Sequence, residues 1–93
     1  MIGKQAQNFL SMKDGRKIKT YISTPGSGTT NFLKYYPERK ILEIGFRSNE
    51  VYQYFKVPSS VWDEYREIVL SGDSSGVFFN NRIKDKYLFR KIS

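Results

Sequence analysis

The feature that most constrains the fold is a change in the spacing of apolar residues at Pro58. Before it, short segments alternate apolar and polar residues, as in residues 40–47, where Leu42, Ile44 and Phe46 stand two positions apart. After it, apolar residues recur three or four positions apart. Alternation is typical of a half-buried strand, and the wider interval is typical of an amphipathic helix. The sequence therefore predicts an α+β fold with its strands first.

The strands are predicted to form an antiparallel β-meander. They cover residues 31–36, 40–47 and 51–57, and each is separated from the next by a short turn. The second turn contains Asn49, a residue that tolerates the left-handed conformation. Short turns favour direct pairing of consecutive strands. Residues 88–93 either add a last strand or lie along the surface.

Two short helices are predicted to follow and to pack on one face of the sheet. The first begins at Ser60, which stands three residues before Asp63 in the spacing of a capping box. The second is capped by Ser74 or Ser75 and extends to about Lys84. Their apolar positions would close a small core over the covered face of the sheet.

A further hairpin is predicted in the N-terminal part. Asp14–Gly15 suits a type I′ turn, in which both central residues have positive φ, and it separates residues 8–12 from residues 17–23. A short helix over residues 4–12 is the alternative. The run of residues 24–30 contains Pro and Gly and no apolar residue, which is typical of a linker.

The chain thus divides into a basic hairpin or arm with its linker, residues 1–29, and an α+β domain, residues 30–93. Lys17 and Lys19 are among the cations of the first part. The formal net charge of the chain is +7 at pH 7, and a basic balance favours anionic partners such as nucleic acid or nucleotides. A solvated edge strand is the other interpretation of these N-terminal cations.

Composition excludes several classes of site. The chain contains neither cysteine nor histidine, so disulfides, thiolate nucleophiles and imidazole bases are absent, and no metal or cofactor is expected. The carboxylates are scattered over turns and the polar side of the first helix, so we expect no enzyme. No apolar run approaches the roughly 18 residues of a membrane span, and no signal-peptide core is present. A cytoplasmic protein without membrane contact is the expectation.

Three motifs stand in order between residues 30 and 88. They are LxIxF from Leu42, YxYxxVP from Tyr52 and SxGxFFNxxIKxxY from Ser74. In order and spacing they resemble the KTSC domain, a module named after the C-terminus of some lysyl-tRNA synthetases that also occurs alone in short bacterial and phage proteins. The resemblance implies an α+β module with a role in RNA binding. It departs at Asn49–Glu50, where the family often has Gly, and it leaves residues 1–29 unmatched.

The candidate binding residues lie mainly in the stretch SSGVFFNNRIK, residues 74–84. Amides at a helix N-terminus can receive a phosphate, although Ser and Gly before a helix are also ordinary capping residues. Cations follow, and aromatic residues interleaved with cations suit a nucleotide. Phe78, Phe79 and Ile83 are expected in the core. The predicted ligand-binding residues are Lys17, Lys19, Tyr52, Tyr54, Ser74, Ser75, Gly76, Asn80, Arg82, Lys84 and Lys86.

Tyr52 and Tyr54 can lie either on the covered face or on the open face of the sheet. Alternation puts both on one face of the sheet. On the covered face they would be core residues with hydroxyls at its rim, which is the interpretation we favour. On the open face they would form a stacking platform for bases.

The predicted function is a non-enzymatic binding module for nucleic acid or nucleotide phosphates. An extended basic surface would bind RNA or DNA; a pocket, within one chain or between subunits of a homo-oligomer, would sequester a signalling (cyclic) nucleotide, as small phage proteins do. The rival is an inhibitor or adaptor that docks on an acidic protein partner through an exposed apolar patch. Phe9, Phe32, Phe55 and Phe89 are the candidates for such a patch.

Overall fold

The computed structural model describes residues 19–93. The predicted hairpin around Asp14–Gly15, its helical alternative and Lys17 lie outside the described residues. Within residues 19–93 no helix has the length and apolar character needed to cross a membrane. The elements in chain order are β1 (Tyr21–Ser23), β2 (Thr30–Tyr36), β3 (Ile41–Phe46), β4 (Val51–Tyr54), α1 (Ser59–Leu70), α2 (Ser75–Phe78), a π-helical turn (Phe79–Ile83) and β5 (Phe89–Lys91).

The strands form one antiparallel sheet in the order β1-β2-β3-β4-β5. The predicted α+β fold with a β-meander is therefore confirmed, and the chain after residue 88 does contribute a last strand. The register aligns one buried row across four strands, in which Ile22 pairs with Leu33, Leu33 with Ile44, and Ile44 with Tyr52. This row lies on the face that the helices cover.

Residues 24–29, predicted as a linker, connect β1 to β2 as the end of a hairpin. The Thr24 amide donates a hydrogen bond to the Asn31 carbonyl at 2.8 Å, which closes the hairpin. The segment from Tyr21 to Ser23 consequently belongs to the same sheet as the rest of the domain. A Pro/Gly-rich run has the same composition whether it ends a hairpin or separates two units, and only the pairing of its flanking strands distinguishes these cases.

Aromatic side chains join the helices to the sheet. Trp62 of α1 stacks on Tyr35 of β2, with 5.6 Å between ring centroids. Tyr65 of α1 stacks on Phe78 of α2 at 4.5 Å. The indole nitrogen of Trp62 also donates to the Lys19 carbonyl at 3.1 Å. Large rings of this kind supply much of the buried area that a small domain needs.

The predicted capping box at the start of α1 does not form. The helix begins at Ser59 with Pro58 in the capping position and no side-chain cap. Ser60 is thus already inside the first turn, and its hydroxyl is not where a cap would be. Asp63 forms an ion pair with Arg66 at 2.8 Å instead.

The second helix is shorter than predicted because its last turn widens. α2 ends at Phe78, and the Lys84 amide donates to the Phe79 carbonyl at 2.8 Å, five residues back. This π-helical turn keeps both Phe79 and Ile83 buried while Asn80 and Arg82 face solvent. Such widened turns are frequent at functional sites.

Candidate functional site

The predicted anion-binding serine, Ser75, is part of the core. It is only 4% exposed. Its Oγ accepts a hydrogen bond from the Thr30 hydroxyl at 3.0 Å and lies 2.8 Å from the Tyr65 hydroxyl, which also donates to the Ser75 carbonyl. The Thr24 and Thr30 hydroxyls are a further 2.8 Å apart. We call these four buried side chains the hydroxyl network.

The network ties α1, α2 and two strands together through satisfied hydrogen bonds. Burial is the main cause that raises the pKa of Tyr65, so its hydroxyl stays protonated and available as a donor. Because buried polar groups are stable only when bonded, the Ser75 hydroxyl is committed to holding the fold together, although Ser75 borders a cavity of about 370 Å³ that Ser74 and residues 24–28 also line.

The neighbours of Ser75 also have structural roles. Gly76 is buried, and a Cβ there would lie 2.4 Å from the Thr29 hydroxyl, so the close backbone approach expected at Gly76 is present. Ser74 is exposed and its Oγ accepts from the Val77 amide at 3.1 Å. Ser74 therefore caps α2, in agreement with the capping interpretation.

The structure separates the cations that the sequence grouped together. The Arg82 guanidinium forms an ion pair with Glu64 of α1 and lies over the Phe78 ring, 5.3 Å from its centroid. Lys84 follows directly after the π-helical turn and lines a groove that Arg82 does not line. Lys86, Asn80 and Lys19 are exposed and do not line that groove.

That groove, here called the aromatic groove, lies where the β4–β5 edge of the sheet meets the π-helical turn. It has a volume of about 530 Å³, which is within the range of small-molecule pockets. Its walls carry five aromatic rings: Phe46, Tyr52, Tyr54, Phe79 and Phe89.

The rings of the aromatic groove support one another edge to face. The ring centroid of Phe79 lies 5.1 Å from that of Phe46 and 5.8 Å from that of Tyr54, and both pairs have edge-to-face geometry. Phe89 of β5 lies 5.5 Å from Tyr52 and 5.6 Å from Tyr54, and is 55% exposed. Mutual contacts of this kind hold the rings of the inner wall in place.

Tyr52 and Tyr54 occupy the covered face, as the alternation predicted. Tyr54 is buried, whereas Tyr52 is half-buried and opens onto the aromatic groove. Burial, followed by the nearby Tyr52 and Asp85, raises the pKa of Tyr54 to about 12. Both tyrosines therefore pack against the core with one side of the ring and line the aromatic groove with the other.

The rim of the aromatic groove carries both signs of charge. Arg47 and Lys84 are the cations, and Glu50 and Asp85 the carboxylates. Glu50 forms an ion pair with Lys91 of β5 at 3.2 Å. The Arg47 guanidinium donates to the Asn31 side-chain oxygen at 2.8 Å. Lys84 and Asp85 have no such bond within residues 19–93, so these two side chains can turn toward a ligand.

The opposite face of the sheet is the second aromatic surface. Tyr21 stacks on Phe32 at 5.7 Å, and the Lys34 ammonium lies 5.0 Å from the centroid of the Tyr36 ring. Glu43 lies at the centre of this face, paired across the strands with Lys34 and accepting hydrogen bonds from Tyr36 and Gln53. A carboxylate at the centre makes this face a poor surface for phosphates.

Sequence reasoning did not assign several groove residues to a site. Phe46 was interpreted only as part of the apolar face of a strand, and Phe89 only as part of a patch for protein docking. Arg47 and Asp85 were given no role in binding. Local spacing carried no signal for them, because they meet only when β5 pairs with β4 and the chain turns back after Ile83. Within residues 19–93 no cluster of acidic side chains is arranged to hold a metal ion.

Comparison with known proteins identifies the family. The family model of the KTSC domain matches residues 27–87. A lysine–tRNA ligase of Nostoc punctiforme is 36% identical over 87 residues, which cover 88% of this chain and only 15% of the ligase. A crystal structure of a KTSC domain protein from Yersinia pestis is 37% identical, with a TM-score of 0.60 over 72% of this chain and 89% of that one. The chain belongs to the KTSC domain family.

Proposed function

We propose that this protein is a non-enzymatic, cytoplasmic binding module for nucleic acid or nucleotide phosphates. In this proposal one unstacked base enters the aromatic groove, and Lys84 and Arg47 at the rim hold the adjoining phosphates. The observation that carries the proposal is the combination, in a single groove of about 530 Å³, of stacking rings and a lysine that has no ion pair within residues 19–93.

The physical basis is the match between the two parts of a nucleotide and the two parts of the groove. A base is flat and apolar on its faces, and its stacking on an aromatic side chain contributes about 1–3 kcal/mol. Phe89 and Tyr52 offer partly exposed rings for this contact. The phosphate carries the charge, and Lys84 supplies an opposite charge beside the rings.

Single-stranded RNA is the ligand that the groove favours over duplex. Sequence-specific RNA recognition relies on unpaired bases that are turned out and stacked on aromatic residues. A base in a duplex is stacked and paired with its neighbours, so only an unpaired base can lay a face on the rings of the groove. The similarity to part of a lysine–tRNA ligase agrees with an RNA ligand.

A small signalling nucleotide is the second candidate, because the groove has the volume of a small-molecule pocket. Salt dependence separates the two. Binding along an RNA backbone releases counterions and weakens steeply as salt rises, whereas a nucleotide held mainly by rings loses less affinity. An acidic protein partner remains the third candidate if neither binds.

The test measures the anisotropy of a labelled single-stranded RNA, with mononucleotides and cyclic dinucleotides as competitors, from 50 to 200 mM salt. Lys84→Gln is expected to weaken RNA binding by roughly tenfold and to lower the salt slope by about one ion. Arg82→Gln is the matched control, since it removes the same charge from a side chain already paired with Glu64 on the other side of the turn.

The control is expected to change affinity by less than about threefold, the effect of net charge alone. If the two variants lose RNA affinity equally, the attraction depends only on net charge and the aromatic groove is not the binding site. If the unmodified protein binds no RNA and no nucleotide at low salt, the proposed function itself is wrong.

A further inference from the structure

Asp85 occupies a backbone position that glycine would fill with less strain. Residues 83–86 form a type II turn, in which the Lys86 amide donates to the Ile83 carbonyl at 3.0 Å. Lys84 has φ −60° and ψ 129°, and Asp85 has φ +64°. The third position of a type II turn requires positive φ and is usually Gly or Asn. An aspartate therefore stands where a side chain carries a conformational cost.

The carboxylate of Asp85 lies on the rim of the aromatic groove, beside Lys84. A negative charge there opposes phosphate binding, which the proposed function requires. Of the two rim carboxylates, Glu50 is bound by Lys91, whereas Asp85 has no ion pair within residues 19–93. Strained residues persist at functional positions when the side chain has a use. A use compatible with the phosphate site is to accept a hydrogen bond from another part of the ligand.

We infer that Asp85 is a specificity-determining residue that accepts a hydrogen bond from a nucleoside donor. The inference rests on the proposed function and deepens it. The ribose 2′-hydroxyl and the exocyclic amine of adenine, cytosine or guanine are donors of this kind. Asp85 in this role favours ligands that present such a donor beside the stacked base, and it repels ligands that present a second phosphate there.

The same arrangement explains the mixed charge of the rim. Lys84 and Asp85 are adjacent in sequence, and the type II turn fixes the backbone between them. One attracts the phosphate and the other selects the sugar or base that accompanies it. A rim of cations alone would hold any polyanion, including inorganic phosphate and duplex DNA.

The experiment compares dissociation constants of three matched RNA and DNA pairs by anisotropy, namely oligo-A, oligo-C and oligo-U against their deoxy counterparts. The unmodified protein is expected to prefer either RNA over DNA, which identifies the 2′-hydroxyl, or A and C over U, which identifies the amine. The expected preference is about tenfold. Asp85→Asn removes the charge but tolerates the turn, and Asp85→Gly removes the side chain.

Asp85→Gly is expected to reduce the preference to within about twofold while binding the disfavoured ligands as well as before or better, and Asp85→Asn, whose amide oxygen still accepts a hydrogen bond, is expected to keep part of the preference. Asp85→Gly is also expected to raise Tm by roughly 5 °C, because glycine relieves the strain of the turn. Asp73→Asn, which makes the same change in net charge outside the groove, should leave the preference intact.

The outcomes separate the two hypotheses. A preference that survives in Asp85→Gly, or an unmodified protein that binds all six oligonucleotides equally, overturns the role of Asp85 and leaves the proposed function standing. An unmodified protein that binds none of the six overturns the role of Asp85, and one that also binds no nucleotide overturns the proposed function.

Discussion

Replacing Ser75 by alanine tests whether the serine of the predicted anion site is structural. The change removes the oxygen that accepts from the Thr30 hydroxyl at 3.0 Å and that lies 2.8 Å from the Tyr65 hydroxyl. Tyr65 retains the Ser75 carbonyl as an acceptor at 3.1 Å. The Thr30 hydroxyl loses its acceptor in a buried site, although it can turn toward Thr24, 2.8 Å away.

A buried donor without an acceptor costs about 1–3 kcal/mol. Because Thr24 offers a partial replacement, we expect Ser75→Ala to lower the free energy of unfolding by about 1–2 kcal/mol. For a domain of this size that corresponds to a fall in Tm of roughly 4–16 °C. The affinity for RNA should not change, because Ser75 does not line the aromatic groove.

Urea denaturation followed by tryptophan fluorescence is a suitable assay. Trp62 is the single tryptophan and is 1% exposed, so its emission reports global unfolding. Ser71→Ala is the matched control, since the Ser71 hydroxyl bonds to a carbonyl at an exposed helix end and should change stability by less than about 0.5 kcal/mol.

A double-mutant cycle with Tyr65→Phe extends the test. Removing both partners of a buried hydrogen bond costs less than the sum of the single changes, so we expect a coupling of about 1 kcal/mol. The reasoning is refuted if Ser75→Ala is as stable as Ser71→Ala and loses RNA affinity, because Ser75 would then act on the ligand.

Two further predictions concern tyrosine ionisation and backbone strain. The pKa of Tyr54 is raised from 10.0 to about 12 in the folded state, so its contribution to stability is complete below pH 10 and is lost as pH rises toward 12. The free energy of unfolding, measured by urea denaturation across this range, should decline less steeply with pH for Tyr54→Phe than for the unmodified protein. Parallel curves would contradict the buried position of Tyr54. Lys56 has φ +58°, and Lys56→Gly should gain roughly 0.5–1 kcal/mol in urea denaturation by relieving that strain, whereas Lys56→Ala, which keeps a Cβ, should gain nothing.

The fold was predictable from the sequence because the spacing of apolar residues reports directly on which face is buried. Leu42 and Ile44 alternate on β3 and are both fully buried, and Tyr54, which pairs with Leu42, is buried on the same face of β4. The left-handed tolerance of Asn49 was also read correctly, since its φ is +73°. These features depend on neighbours within a few residues.

The candidate site was only partly predictable because it depends on contacts between distant segments. The π-helical turn separates Arg82 from Lys84, and α-helical spacing gave no indication of it. Ser75 belongs to a Ser/Gly segment typical of a phosphate-binding turn, yet its hydroxyl accepts a hydrogen bond from Thr30, which lies 45 residues earlier. Lys84, Tyr52 and Tyr54, all predicted as binding residues, do line one groove. Phe89 completes this groove from β5, and no local sequence pattern indicated that β5 would pair with β4.

The short last strand has a consequence for how the family can diversify. β5 has three residues, all exposed, and among the strands of residues 19–93 it pairs with β4 alone. The family match ends at residue 87, so Phe89 lies beyond it. Fraying of so short an edge strand exposes little apolar area and therefore requires far less free energy than global unfolding. The outer wall of the groove can thus open, or be exchanged between relatives, while the sheet and helices that define the domain remain intact.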